Sequence, residues 1–476
     1  MAAPGSVRLG SEEVPLAGIV RYGAYVPYTR IARSAIAGGA GERAVASFDE
    51  DAVSMAVEAC REALREGAAP DQVLFATTSP PYAEKLAAAI IHAACALPHE
   101  AGSADLGASS RSGLSALGLG ADLATAGRRV LVCASDVVIG APEGPRERSG
   151  GDAAAAFVLG PDSEAGARVI GRAAATSEYL DVWRTPEMPF ARQWEDRFGL
   201  EVLAPLLEDV AHRALRGAGL QPADLALLVA EATSERAAAG LAATLGIKPE
   251  CVADRLASSV GRAGAAHAGL LLARALDSAS PGDRILVVSG ADGAEAVVFE
   301  VTDRIQAARP SHRVDAWISS KRADLAWTTW LKWRGILPFE PPRRPDPERP
   351  AAPPMQRAER WKYAFTGSRC TACGAAQLPP QRVCVACGAV DRMEPEPFAD
   401  ASGRIATFTV DRLAYSLQPP VVAAVVDFER GGRFQCELTD VDPAKVAIGD
   451  ELEMTFRRLF TAQGVHNYFW KARPRR

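Results

Sequence analysis

Arg284-Ile-Leu-Val-Val-Ser-Gly-Ala-Asp292 echoes Arg129-Val-Leu-Val-Cys-Ala-Ser-Asp136. Each copy follows an alanine-rich helical stretch and a glycine-containing turn. Each leads into a second apolar strand, Asp152-Ala-Ala-Ala-Ala-Phe-Val-Leu-Gly160 in one case and Gly293-Ala-Glu-Ala-Val-Val-Phe-Glu-Val301 in the other. Short Val/Ile/Leu runs of this kind suit strands covered on both faces. Working outward, residues 73–77 and 225–229 read as further buried strands, and 49–67, 83–96, 200–217 and 265–278 carry helical periodicity. Strands alternating with helices predict a layered α/β fold, and the echo predicts that its unit is duplicated. Any strand-turn-strand in an alanine-rich chain gives a weaker version of the same echo.

The chain has 476 residues, enough for two or three domains. With 48% hydrophobic and 23% charged residues it can bury a large core, which argues against global disorder. The formal net charge of −5 offers no clustered cationic footprint for nucleic acid. No run of eighteen apolar residues is present, so no transmembrane helix is expected, and residues 1–18 lack the pattern of a secretory signal. A cytoplasmic protein is expected, with neither nucleic acid nor membrane as a partner.

Eight prolines fall within residues 338–354, mixed with Arg, Glu and Asp. That composition predicts an extended, semi-rigid linker. Upstream, Trp317, Trp327, Trp330 and Trp333 mark an amphipathic arm whose indoles pack on a neighbouring surface. The expected division is residues 1–310, an arm and linker over 311–356, a ribbon over 357–396 and a β-domain over 397–476.

The ribbon rests on Cys370-Thr-Ala-Cys373-Gly and Cys384-Val-Ala-Cys387-Gly. Each CxxC-Gly places two sulfurs on one tight turn, and four thiolates complete a tetrahedral Zn²⁺ shell with no open position. A structural zinc is expected at Cys370, Cys373, Cys384 and Cys387; a rubredoxin-like iron site or a redox dithiol pair uses the same spacing. The other five cysteines are scattered in apolar surroundings, a reduced pattern and not a disulfide framework. Five strand-like segments follow, at 403–410, 421–428, 433–438, 451–456 and 466–470, with Gly431-Gly432 as a hairpin turn. They predict a small OB-type barrel. Phe408, Tyr415, Phe434, Phe469 and Trp470 are read mainly as its core rather than as a base-stacking platform.

Two resemblances now enter. Residues 355–476 resemble the zinc-ribbon/OB-fold domain that accompanies thiolase-like proteins and is associated with acyl-CoA. The matching residues are the two knuckles, Gly403-Arg-Ile-Ala-Thr-Phe-Thr-Val410 and Ile448-Gly-Asp-Glu-Leu-Glu453. The larger part resembles archaeal-type 3-hydroxy-3-methylglutaryl-CoA synthase of the thiolase superfamily. It does so through Gly18-Ile-Val-Arg-Tyr-Gly-Ala-Tyr-Val-Pro27, Phe48-Asp-Glu-Asp51, Ser79-Pro-Pro-Tyr-Ala83, Gly151-Asp152 and Pro281-Gly-Asp-Arg-Ile-Leu-Val-Val-Ser289. The resemblance implies a duplicated, five-layered thiolase-like fold, a homodimer formed through it, and a CoA thioester as substrate. A second thiolase-like or hydratase-type protein is a possible partner.

The same resemblance locates the catalytic positions and shows that their residues differ. Asp105-Leu-Gly-Ala-Ser-Ser110-Arg-Ser-Gly113 puts Ser110 where the family has its nucleophilic cysteine. Val229-Ala-Glu-Ala-Thr233 puts Glu231 at the histidine position, Gly261-Arg262 puts Arg262 at the asparagine position, and Thr78 stands where the synthase has a glutamate base. A serine is a far weaker nucleophile than a thiolate unless a base activates it. The family's acyl-cysteine route is therefore not expected. In a functional reading Glu231 is a general base, Arg262 binds a thioester enolate or a substrate carboxylate, Ser110 completes the pocket, and Tyr82 contributes a phenol. That set suits C–C bond formation or cleavage of aldol or retro-aldol type, making the chain an acyl-CoA lyase or acyltransferase. In a structural reading Glu231 and Arg262 are an ion pair, Ser110 caps a helix, and the chain is an inactive acyl-CoA-binding or scaffolding subunit. Arg111 is expected to meet a CoA phosphate, and His267 is read as a satisfied core histidine.

Overall fold

The structure, a computed structural model, describes residues 6–9, 12–15, 17–65, 67–340, 342–343, 345 and 347–476. The chain forms two compact units. The larger contains residues 1–46, 55–89 and 98–324; the smaller contains 325–476 together with 47–54 and 90–97. Among the described residues no helix is long and apolar enough to cross a membrane.

The larger unit is built on a main sheet of nine strands: β1 (Ala17–Tyr25), β2 (Gln72–Thr77), β3 (Gly102–Gly107), β4 (Val130–Asp136), β5 (Ala153–Pro161), β6 (Ala167–Thr176), β7 (Leu227–Ala232), β8 (Arg284–Gly290) and β9 (Gly293–Val301). Their order across the sheet is β7-β8-β9-β6-β1-β5-β4-β2-β3. Among the described residues the two half-sheets pair where Ala167 and Arg168 meet Ile19 and Gly18. Within each half the same pattern recurs. β4 runs parallel to β2 and antiparallel to β5, and β8 runs parallel to β7 and antiparallel to β9. The echoed segments, β4 and β8, thus occupy equivalent places in two copies of one unit. All seven residues of β4 are buried, as a continuous apolar run requires.

The main helices are α1 (Ala52–Leu64), α2 (Ser112–Thr125), α3 (Asp196–Gly217), α4 (Glu235–Thr244) and α5 (His267–Ser278). They form layers around the half-sheets. α1 covers the β1 half so closely that a Cβ at Gly23 would lie 2.4 Å from the Ala59 carbonyl. α2 and α5 touch each other, and α5 reaches strands of both halves. α3 covers the other half, where a Cβ at Gly171 would lie 2.4 Å from the Ala214 carbonyl, and α4 lies beside β7. Helix, half-sheet, paired helices, half-sheet, helices make five layers.

Boundaries differ from the sequence reading in one informative place. The strand expected over 225–229 runs instead over Leu227–Ala232, so Glu231 sits inside β7 and not beyond it.

In the smaller unit three short strands, Thr366–Cys370, Ala376–Gln377 and Met393–Pro397, form the ribbon. Gly403–Asp411, Val421–Phe428, Arg433–Leu438, Val465–Pro474 and Glu451–Ala462 follow one another around a closed barrel. The last two strands run longer than the sequence suggested. They pair from Leu452↔Pro474 to Ala462↔Val465 through a two-residue turn, with Gln463 and Gly464 at φ 48° and 77°. Trp470 is buried, Phe408, Phe434 and Phe469 are half-buried, and Tyr415 is exposed. Trp361 gathers Phe365, Phe434 and Phe469 around its ring.

A polar cluster closes this unit. Arg457, fully buried, contacts Glu50 at 2.7 Å, Asp440 at 2.6 Å and Asp49 at 3.4 Å, and Lys471 contacts Asp49 at 3.1 Å. The Phe48-Asp-Glu-Asp51 motif therefore belongs to the smaller unit's core. The tryptophan arm also divides: Trp317 packs on Tyr25 in the larger unit, whereas Trp330 and Trp333 are buried in the smaller. The proline-rich stretch is not wholly extended. Pro353 and Pro354 open the helix Ala352–Arg357, where a first turn needs no N–H. Pro341 of that stretch lies outside the described residues.

Candidate active site and metal centre

One cavity of about 190 Å³ in the larger unit is lined by Thr78, Ser110, Glu231, Arg262 and His267, together with Arg146, Asp181, Trp183, Arg184, Gln193, Thr233 and Asp292. The topology explains the gathering. β2, β4, β7 and β8 end at it, α2 and α5 begin beside it, and a hairpin pairing Val182–Trp183 with Arg192–Gln193 forms one wall.

Ser110 lies at the turn into α2, just after Ala108, whose φ of 75° is the left-handed conformation that most residues avoid. Its hydroxyl oxygen is buried and has no hydrogen-bond partner. It is not a cap: α2 starts from Arg111 with no side-chain cap. The close approach of α2 to the 264–266 turn depends on Gly113, whose Cβ would stand 2.0 Å from the Ala265 carbonyl.

Glu231 is buried at the end of β7 and accepts a hydrogen bond from the Ser289 hydroxyl on β8. Burial pushes its carboxyl up to about 7, and the Ser289 bond and the Arg262 charge only moderate that rise. Arg262 donates to the Thr233 carbonyl at 2.9 Å. Among the described residues it forms no ion pair with Glu231. His267 opens α5, almost fully buried, with Nδ1 unpartnered. Burial and the Arg262 and Arg255 charges hold its imidazole down at about 3, so it is neutral at any ordinary pH. It is a cavity residue and not the satisfied core histidine expected.

Thr78 is already engaged. Its amide and hydroxyl donate to Asp136, which also accepts from Thr77, Ser79 and the Ala265 amide. That fully satisfied carboxylate ties the end of β2 to the turn before α5. Tyr82 is not among the cavity residues. The Arg111 guanidinium is held by the Ala291 carbonyl at 2.9 Å and by Glu295 at 3.5 Å. The sequence reading missed Arg146, on the short helix Pro145–Ser149, Gln193, on the two-residue strand Arg192–Gln193, and Arg184, in the loop after Trp183; none lies in a periodic segment or a motif. Among the described residues no cysteine lines the cavity.

The four ribbon cysteines converge. Their sulfurs lie within 4.8 Å of one another, with Cys370–Cys387 at 3.8 Å and Cys373–Cys384 at 3.6 Å. Tetrahedral zinc with Zn–S near 2.3 Å needs sulfur separations of about 3.8 Å, so the shell fits. The knuckles repeat each other: Gly374 donates to Cys370 and Gly388 to Cys384, with φ of 77° and 74°. Those left-handed glycines allow two sulfurs on each turn.

Comparison with known proteins agrees with both units. The hydroxymethylglutaryl-CoA synthase of Aeropyrum pernix is 31% identical over 343 residues, 67% of this chain and 95% of the relative. The chain belongs to the hydroxymethylglutaryl-CoA synthase family. The Methanopyrus kandleri synthase is 32% identical over 316 residues, covering 61% of this chain and 89% of that protein. Residues 362–391 match the ChsH2 rubredoxin-like zinc ribbon domain, and 397–457 match the ChsH2 C-terminal OB-fold domain. Among solved structures, the curacin-pathway HMG synthase aligns over 67% of this chain and 88% of its own, with TM-score 0.56 and 18% identity. The 3-oxoacyl-[acyl-carrier-protein] synthase III of Aquifex aeolicus aligns over 60% and 99%, with TM-score 0.53 and 22% identity. These structural likenesses show the thiolase-like fold. In this member of the family Ser110, Glu231, Arg262 and Thr78 line one cavity of that frame.

Proposed function

We propose that this chain forms or cleaves a C–C bond in a CoA thioester by an aldol-type reaction without a covalent acyl-enzyme, with Glu231 as the base. The observation that carries the reading is Glu231 itself: a carboxyl inside the cavity whose affinity for protons is balanced near neutral pH. A base must exchange protons at working pH, and an ion-paired structural glutamate does not. The names of the relatives, hydroxymethylglutaryl-CoA synthases, support a CoA thioester as substrate.

In the cleaving direction Glu231 takes the proton from the 3-hydroxyl of a 3-hydroxyacyl-CoA. The O–H electron pair becomes the C3 carbonyl, the C2–C3 bond breaks, and its electrons pass to C2 as the thioester enolate. Protonation at C2 completes the acyl-CoA product. Ser110, His267 and Arg262 are the donors available to the oxyanion. The reverse sequence is the aldol addition. We read the four-cysteine site as a structural zinc and the active form as a homodimer through the larger unit. A bound zinc would fix the ribbon; a shell of four thiolates has no place for a reacting group.

The test is Glu231→Gln assayed against a panel of 3-hydroxyacyl-CoAs, with release of the carbonyl product followed beside a thermal melt. The expected outcome is a loss of at least about a hundredfold in turnover, the scale of a removed general base, with the fold intact. Equal turnover per folded molecule rejects the base role. Binding of these thioesters with no cleavage by wild type favours the acyl-CoA-binding subunit.

A further inference from the structure

Strand alternation decides which way Glu231 faces. Ala230 and Ala232 on β7, with Leu286 and Val288 on β8, belong to the apolar cluster that includes Leu203 and Leu207 of α3. Successive side chains on a strand point to opposite faces, so Glu231 and Ser289 both lie on the other face, where α5 packs on the two strands. Parallel pairing sets these two residues side by side. The Thr233 amide donates to the Gly290 carbonyl at 2.9 Å and carries the pairing past the end of β7. Ser289 is fully buried and is not among the cavity residues, so it cannot touch a substrate there. Its hydroxyl donates to Glu231 Oε1. Among the described residues no second donor reaches this carboxyl, and the hydroxyl has no other partner.

The charged groups around the cavity are engaged elsewhere. Arg262, after the Gly261 turn, helps to hold the carboxyl down by its charge, yet its guanidinium donates to the Thr233 carbonyl. His267, opening α5, is neutral. Arg146, on the short helix Pro145–Ser149, faces the charge of Asp136 as well as those of Arg262 and Arg184. Asp136, ending β4, accepts from Thr77, Thr78, Ser79 and the Ala265 amide. Arg111, before α2, is held by the Ala291 carbonyl and Glu295. On the wall hairpin Asp181 is held by Tyr179 and Gln193, and Asp292, after β8, is exposed. Among the described residues none of these groups bonds to Glu231. A hydroxyl bonds an ionised carboxylate more strongly than its neutral acid. Ser289 therefore favours the ionised form of Glu231 and opposes the effect of burial.

We propose that Ser289 is the positioning residue of Glu231: its hydroxyl fixes one carboxyl oxygen, leaves the other to the cavity, and sets the pH below which the site stops working. This rests on Glu231 being the base, as argued above, and adds the group that controls it.

The experiment has two readouts on the full-length protein, and the first needs no substrate. Infrared spectra are titrated through the neutral range, and the protonated-carboxyl band that Glu231→Gln removes is followed in wild type, Ser289→Ala and Ser289→Cys. The second readout is the pH profile of kcat/KM for cleavage of a 3-hydroxyacyl-CoA, whose acid limb reports the base of the free enzyme. Ser289→Ala is expected to move the band's midpoint up by at least about one pH unit, the scale of one hydrogen bond to a charged group. Cysteine is a weaker donor than serine, so Ser289→Cys should move it in the same direction by less, and it keeps the test available if Ser289→Ala fails to fold. The acid limb of cleavage should move with the band in each variant. A midpoint unchanged in the variants overturns the proposal. Lower turnover with an unmoved midpoint and limb assigns Ser289 to packing and also overturns it. If the midpoint moves but the cleavage limb does not follow, or wild type cleaves nothing, control of Glu231 by Ser289 stands and the base reading falls. If no such band titrates in any of the proteins, both fall.

Discussion

Glu231 and Ser289 are direct cross-strand partners in the parallel pair β7–β8, and the serine hydroxyl donates to the glutamate carboxyl. That register places a buried carboxyl against a single neutral donor. One hydroxyl cannot repay the hydration that the carboxylate loses, so the neutral form gains.

The first prediction is a pH signature of that pairing. The carboxyl's ordinary value is 4.5, and in the fold it is about 7. The folded state therefore holds this proton more tightly than the unfolded state, and the proton's contribution to stability is lost as pH rises through that window. Glu231→Gln removes the contribution. The melting temperature of the variant relative to wild type should climb between those two pH values and level off above. A difference flat across the window contradicts the shifted carboxyl.

Incubation with acetyl-CoA should leave the intact mass of the protein unchanged. Ser110 has an unpartnered hydroxyl, and an unactivated serine is not a nucleophile at neutral pH. Mass spectrometry that finds an acetyl group on Ser110 would restore an acyl-enzyme route.

Arg457→Met should destabilise the smaller unit by roughly 3–5 kcal/mol, because it strands buried carboxylates that the guanidinium now neutralises. Asp49 shows what is at stake. Burial alone would raise its carboxyl, yet Lys471 and Arg457 hold it down at about 2. Denaturant unfolding monitored at the tryptophans of this unit measures the loss. A change below about 1 kcal/mol would mean that the cluster is open to water.

Purified protein should carry one zinc per chain, and Cys373→Ser should release it. Metal analysis beside hydrogen exchange over residues 366–397 checks this. Loss of metal should raise exchange in the ribbon, because the three short strands there lack a large apolar core. An ordered ribbon in metal-free protein would contradict the structural role.

Some of this protein is written in the linear chain. Two CxxC-Gly knuckles specify a four-sulfur shell because the ligands lie on local turns. The β4/β8 echo exposes a duplicated unit because strands buried on both faces must be continuously apolar. The barrel strands show themselves by alternation and by Gly431-Gly432, although the length of the last hairpin came from pairing across Gln463-Gly464. The positions of Ser110, Glu231 and Arg262 were also legible, through their motifs.

What those residues contact was decided only by the folded chain. From the sequence, Glu231 and Arg262 read either as working groups or as an ion pair. The fold sends one to Ser289 and the other to the Thr233 carbonyl. Arg146 and Arg184 carry no local signal, yet the short helix Pro145–Ser149 and the loop after Trp183 bring them to the same cavity. A carboxyl's affinity for protons and a guanidinium's need for a counter-ion depend on desolvation and on charges distant in sequence. Both quantities exist only once strands, helices and loops have closed around the site.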